Sequence, residues 1–263
     1  GSRQRRQALV GASYVVNAIQ VGGYEPSTVI DFEIPKKYGL RQTIADTLGI
    51  GGIFRTLRTV PVLEEFAWDI SAVCPEAWFL NYVNPMAMVT GALLWHGVKT
   101  VGLCHSVQGC AQSLLWRVGM ERDMKNVQWR IAGINHQAWL LEITENGKDL
   151  YPEIKRRAAA ALKRVIRKGG GKAVSEHWQR EAKRRGVRWW EIPEAHDMRI
   201  AHDMIRLELM LRFGYYVTES SEHSAEYMPY WIKRTHPELI DRYNIPLDEY
   251  PRRCVSQIEG WKQ

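Results

Sequence analysis

The chain has 263 residues, 45% of them apolar and 25% charged, the balance of a globular protein large enough to bury a core without staples. No apolar run reaches the roughly 18–20 residues of a membrane span, and the start Gly1-Ser2-Arg3 has no signal-peptide core. The net charge of +7 is local: residues 155–190 hold thirteen Lys or Arg against Glu176 and Glu181, a surplus of eleven, so the rest of the chain sums to −4.

Short β-rich runs at 13–21 (SYVVNAIQV), 77–83 (AWFLNYV) and 98–104 (VKTVGLC) predict strands. Between the first two, 52–73 places Ile53, Leu57, Val60, Leu63, Phe66 and Ile70 at helical spacing. Asn84-Pro85 before MAMVTGALLW reads as an N-cap, a proline at the first helical position, and a helix. Strands alternating with helices imply a parallel sheet, whose ligands sit beyond the carboxyl ends of the strands. Gln20 to Gly23, Asn84-Pro85 and Cys104-His105-Ser106 all fall at such ends. The second half differs: strands at 127–134 and 137–143 flank Asn135-His136, and helices follow at 151–168, 175–185 and 196–213. Gly169-Gly170-Gly171 separates the first two of these helices, and AHDM occurs at 195–198 and again at 201–204.

Cysteines 74, 104, 110 and 254 show no CxxC spacing and read as reduced thiols, so a cytoplasmic protein is expected. Cys104, His105 and His136 are the sharpest chemical group, since thiolate and imidazole suit a borderline divalent metal. By composition alone, a buried thiol and a satisfied histidine are the commoner outcome. The stretch 46–52, Asp46 followed by three glycines, reads equally as a plain turn or as a loop offering backbone N–H groups to a ligand. Residues 218–231 (TESSEHSAEYMPYW), read as a helix, put Glu219, Glu222, His223 and Glu226 on one face. The basic stretch, with Trp178, Trp189 and Trp190, has the composition of a nucleic-acid patch. No nucleic-acid module accompanies it, so amphipathic helices with solvated cationic faces are preferred and nucleic acid is not expected.

Taken in order, NAIQVGGYEPSTVIDFEIPKKYGLRQTIADTLGIGG, FLNYVNPMAM, GLCHSVQG, AGINHQAW, VTESSEHSAEY and NIPLDEYPRRC resemble family 4 glycoside hydrolases. The likeness is to the α-galactosidase/α-glucosidase branch, over about 8–154 and 202–261. It implies hydrolysis of an unphosphorylated α-glycoside, an α-galactoside first, with NAD and Mn2+ or another divalent metal. The family is an NAD-dependent exception to the two-carboxylate rule. Its chemistry is oxidation at the sugar's C3, loss of the C2 proton, elimination of the aglycone, addition of water and return of the hydride. By matching position, Cys104 and His136 are implied as metal ligands, His105 as the acid and Tyr227 as the C2 base. His223 or Glu226 is implied to share that task. Asn84, Asn135 and His223 are implied to contact the sugar, Gln20 and Gly22 the dinucleotide, and Asp46 to orient the nicotinamide–sugar region.

The resemblance places a glycine-rich dinucleotide turn ahead of Ala8, and no GxGxxG precedes Ser13; for a chain complete at 263 residues this implies poor NAD affinity and exposed sheet edges and apolar faces, the alternative being that the chain is part of a longer protein. Ala45 stands where the family pattern has glycine. The expected fold is α/β: a partial Rossmann-like parallel sheet followed by a mostly helical α+β domain. The expected division is 1–110 for NAD binding and 111–263 for catalysis, with a basic helical insertion at about 158–200. A homo-oligomer is expected and a membrane is not. The alternative functions are an inactive family member serving as a binding or assembly module, and a 2-hydroxyacid-type dehydrogenase.

Overall fold

The computed structural model describes residues 4–262. They form two compact units, one comprising 4–104 with 248–262 and the other 105–247; a division at 110 with a contiguous second part was expected. Residues after 247 join the first unit through backbone bonds, Asp248 N–H to Gln42 O at 2.9 Å and Tyr250 N–H to Thr43 O at 3.1 Å.

The first unit carries α1 (Arg5–Leu9), β1 (Tyr14–Asn17), α2 (Val29–Lys37), α3 (Ile50–Val73), β2 (Trp78–Asn81), α4 (Met86–Trp95) and β3 (Thr100–Gly102), then the C-terminal helix Glu249–Trp261. The strands run parallel in the order β1-β2-β3, with Val16 opposite Leu80 and Leu80 opposite Val101. Alternation along the strands sends Phe79 into a core with Leu63, Ile70, Val89 and Leu93. The other face carries Tyr14 and Val16, 68% and 64% exposed, with Trp78 and Val101 also exposed. Parallel sheets are ordinarily covered on both faces; among the described residues this apolar face lies open. The helix after β2 begins one residue later than predicted: Pro85 holds the cap position, and Asn84 Oδ1 accepts from Met86 N–H at 3.3 Å.

The second unit contains α5 (Cys110–Arg117), β4 (Val127–Ile134), β5 (Gln137–Glu145), β6 (Lys148–Asp149), α6 (Tyr151–Arg167), α7 (Gly171–Arg185), α8 (His196–Ala201), α9 (Met204–Phe213), β7 (Tyr216–Val217), α10 (Ser221–Tyr227) and α11 (Glu238–Arg242). Its sheet is antiparallel, β5 pairing with β4, β6 and β7. In α6, Tyr151, Ile154, Ala158, Ala161, Leu162 and Val165 form the buried stripe, at the 3.6-residue spacing of an amphipathic helix. They join Leu140, Ile143, Leu207 and Met210 in the core.

The predicted helix 196–213 is two helices. It breaks where Asp203 leaves helical geometry at φ −136° to direct its carboxylate at Arg206 and Tyr216. The AHDM repeat thereby acquires a meaning: Ala195, Asp197 and Met198 are buried, and so are Ala201, Asp203 and Met204. Each aspartate anchors basic side chains, Asp197 taking Arg164 and Lys168 at 2.6 and 2.7 Å. No helix of the described residues is long and apolar enough to cross a membrane.

Candidate active site

In the first unit, Asn17 and Asn81 end β1 and β2 and are both buried, with Asn17 Nδ2 donating to Asn81 Oδ1 at 2.9 Å. Past β2, the Asn84 amide donates to Asp46 Oδ2 at 3.0 Å while Thr47 Oγ1 donates to Asp46 Oδ1 at 3.1 Å. Two residues singled out from the sequence are therefore hydrogen-bonded to each other. The loop around Asp46 is clamped by Gln42, whose Oε1 accepts from Gly51 N–H at 3.0 Å and whose amide donates to Asp31 O at 2.8 Å. A Cβ at Gly51 would lie 2.5 Å from Ala45 Cβ, and one at Gly52 2.7 Å from Thr47 O, so these two glycines serve close packing. Ala45 has φ 55°, a left-handed conformation that favours glycine. The glycine expected at that position thus has a backbone reason.

Gln20 donates to Thr28 Oγ1 at 3.0 Å in the loop after β1. Gly22, with φ +80°, lies against Ser27. A Cβ at Gly23 or at Gly49 would meet no atom within 4 Å, so the space beside both is open. Cys104 is half-buried two residues past β3, and none of the four cysteines forms a disulfide.

In the second unit the hairpin turn between β4 and β5 is Asn135-His136. His136 has φ 61°, a region that non-glycine residues seldom occupy and that marks functional turns when held by the surroundings. Its ring is buried. Nδ1 lies 3.1 Å from the Tyr227 hydroxyl, Nε2 lies 3.4 Å from Glu219 Oε2, and the ring meets His223 edge-on at 4.9 Å between centroids. His223 Nδ1 is 2.7 Å from Ser220 Oγ and 3.6 Å from Glu219 Oε1. Residues 91 positions apart in sequence thus form one cluster on the hairpin turn and α10. His105 is exposed in the turn before α5. Glu219 precedes α10, which begins at Ser221, so the single helical face expected for Glu219 to Glu226 is corrected: the carboxylate enters from the loop.

Burial pushes the Glu219 carboxyl pKa up, but His223, His136, the Ser220 N–H and Arg206 outweigh it and hold the value below the usual carboxylate range. Sequence reading gave Glu219 no site role, and it missed the residues that hold it. Arg206, 5% exposed, donates Nε to Val217 O at 3.1 Å and Nη2 to Thr218 O at 2.9 Å, fixing the two carbonyls just before Glu219. Asp203 Oδ1 accepts from Arg206 at 3.3 Å, and Asp203 Oδ2 accepts from the Tyr216 hydroxyl at 2.5 Å. Burial raises the Tyr216 pKa well above normal, keeping that hydroxyl a donor. The available signal was a charged side chain among apolar ones in MIRLELMLRF.

The donor set fits a divalent metal: buried imidazole nitrogen and carboxylate oxygen suit first-row ions. Beside it, Asn135 Oδ1 and Thr218 Oγ1 are buried with no hydrogen-bond partner among the described residues. A buried polar atom left unpaired costs about 1–3 kcal/mol, so such atoms mark places where a ligand atom would be accepted.

The sequence matches family 4 glycosyl hydrolases over residues 2–120 and their C-terminal domain over residues 131–263, the basic stretch included. It is 58% identical to an alpha-galactosidase of Bacillus subtilis (strain 168), covering 98% of this chain and 52% of that protein. An alpha-galactosidase of Rhizobium meliloti (strain 1021) is 36% identical, with 91% and 41% covered. The crystal structure of lplD from Bacillus subtilis superposes with a TM-score of 0.72 at 26% identity, over 98% of this chain and 55% of that one. The chain spans about half the length of the curated relatives it matches.

Proposed function

The chain belongs to glycosyl hydrolase family 4, and from that premise we propose that the whole enzyme hydrolyses unphosphorylated α-galactosides with NAD and a divalent metal, Mn2+ first. The observation that carries the reading is the pairing of buried His136 with half-buried Tyr227, with Glu219 and His223 around it. The two α-galactosidase relatives support the choice of sugar. Membership of a hydrolase family leaves the dehydrogenase alternative without support.

When bound, NAD supplies a hydride acceptor for the sugar's C3 and the metal supplies Lewis acidity at the sugar's oxygens. The remaining work belongs to side chains. With the proton on Nδ1, His136 donates to the Tyr227 oxygen, which favours the phenolate and leaves the Nε2 lone pair for a metal. Tyr227 then takes the C2 proton at its hydroxyl oxygen. Cys104 is assigned a thiolate ligand role and His105 the protonation of the leaving group. Asn84, Asn135 and His223 hold sugar hydroxyls, while Asp46 orients the reacting region through Asn84. Gln20 and Gly22 lie along the dinucleotide. The unit with the parallel sheet is the dinucleotide-binding part and 105–247 the sugar-handling part, in a cytoplasmic homo-oligomer.

The test is release of p-nitrophenol from its α-galactoside with NAD+, Mn2+ and reductant, alongside Mn2+ binding read by electron paramagnetic resonance. Turnover that disappears in Cys104→Ser, with Mn2+ binding that disappears in His136→Ala, is the expected result. Absence of both turnover and His136-dependent Mn2+ binding would overturn the proposal. Faster turnover of the α-galacturonide would change the sugar.

A further inference from the structure

The basic stretch does more than solvate two helices. We propose that the 105–247 unit carries a second binding site, for a small oligophosphate anion, in a cleft lined by Arg117, Arg156, Arg157, Arg164, His196 and Arg199. The cleft has a volume of about 330 Å³ and no carboxylate among its lining residues. On α6, positions 156/157, 160/161 and 164 recur at i, i+4 and i+8 on one face. Ala160 and Ala161, between the arginines, leave room for the hollow.

The charge around the cleft is not balanced. Glu153 serves both Arg156 and Arg157, Asp197 serves Arg164 and Lys168, Asp203 serves Arg117 and Arg206, and Glu121 serves Arg199. Seven cations meet four carboxylates, a surplus of three positive charges, and His196 adds another when protonated. A di- or triphosphate carries a matching charge.

The guanidinium groups are also held in place before any ligand arrives. Arg199 lies 4.1 Å over the Trp116 ring and donates to Trp116 O at 3.1 Å. Arg117 donates to Arg199 O at 2.9 Å, and Arg157 donates to Gly119 O at 2.6 Å. Each guanidinium has five N–H donors in a planar fork, so N–H groups remain for phosphate oxygens. A fork already fixed loses little entropy on binding.

The geometry favours a small anion over a nucleic acid. A polymer needs a continuous basic track, yet the outward cations of α7 are tied to their own helix: Arg180 to Glu176, and Arg184 and Arg185 to Glu181. In the hollow, by contrast, arginines of α5, α6 and α8 converge on one space.

The probe is inorganic tripolyphosphate, titrated calorimetrically into the chain at about 50 mM salt, where exposed charges are only partly screened. One-to-one binding is expected, weakened at least tenfold in Arg156→Gln/Arg164→Gln and less than twofold in Lys183→Gln/Arg184→Gln. In the first variant Arg157 still neutralises Glu153 and Lys168 still neutralises Asp197, so the fold is retained; near-ultraviolet circular dichroism checks it. Equal weakening by both variants would mean diffuse attraction and overturn the site. So would absence of saturable binding, or tighter binding of oligonucleotides that strengthens with their length. Glycoside turnover is not read at any point, so this result and that of the proposed hydrolase reaction are separable.

Discussion

Arg206→Met tests the claim that a buried arginine fixes the loop bearing Glu219. The substitution keeps much of the side-chain volume but leaves the Asp203 carboxylate, itself 0% exposed, with Arg117 in place of two cationic partners. It also removes the donors to Val217 O and Thr218 O. Breaking a buried ion pair from one side costs about 3–5 kcal/mol, and each orphaned carbonyl about 1–3 kcal/mol. These contributions overlap, because the Tyr216 hydroxyl continues to donate to Asp203 and Arg117 remains beside it; a net loss of about 3–5 kcal/mol is expected. Against a typical total of roughly 5–15 kcal/mol, that would leave the unit near its unfolding limit. Arg206→Lys retains the charge without the fork and should cost about 1–3 kcal/mol. Adding Asp203→Asn to Arg206→Met should recover at least about 1 kcal/mol of the loss, as coupled buried partners do. Urea unfolding followed by tryptophan fluorescence and circular dichroism measures all of these. A loss below about 1 kcal/mol in Arg206→Met, or a lysine variant no more stable than the methionine one, would refute the reasoning.

Tyr227→Phe should lower kcat by roughly 10²-fold or more while Mn2+ affinity stays within about twofold, because the phenol is a proton group and not a ligand in this proposal; an unchanged kcat would remove Tyr227 from the reaction. Gly133→Ala should destabilise by about 2–4 kcal/mol in chemical unfolding, since φ is +137° and a Cβ would sit 2.5 Å from Ala138 Cα; a neutral result would mean that the hairpin yields. Asp197 has its carboxyl pKa raised by burial but lowered further by Lys168 and Arg164, so the net shift is downward. A depressed folded pKa gives stabilisation that is present above the unfolded value near 4 and is lost as pH falls through the folded value. The difference in Tm between the parent chain and Asp197→Asn should therefore shrink with acidification below about pH 4; a difference that grew there would contradict the ion-pair account.

The strands were legible because each is a short β-rich run closed by a Gly, Pro or Asn signal, and all three core strands fall inside their predicted runs. Asn84 and Asp46, and separately His136, His223 and Tyr227, were picked out individually; no spacing rule joins a hairpin turn to a helix 91 residues away. Glu219 was assigned to a helix because nothing local shows that Ser220, whose hydroxyl engages His223, ends the preceding loop. Asp203 and Arg206 at i and i+3 resemble an exposed helical pair, and only packing shows that both are buried. The basic stretch was legible as composition. Its division into cations tied along α7 and cations facing a cleft depends on which helix face turns towards α8.

The return of residues 248–263 to the first unit sets an order on biosynthesis. A ribosome releases 105–247 as one uninterrupted stretch, so that unit can close while the chain is still growing, as domains commonly do. The parallel sheet, although begun first, must wait for the segment that meets Gln42 and Thr43. Until then its loop edge stays open, and the long sequence separation of that last contact makes it the slow step. Strands translated before the second unit are thus completed after it.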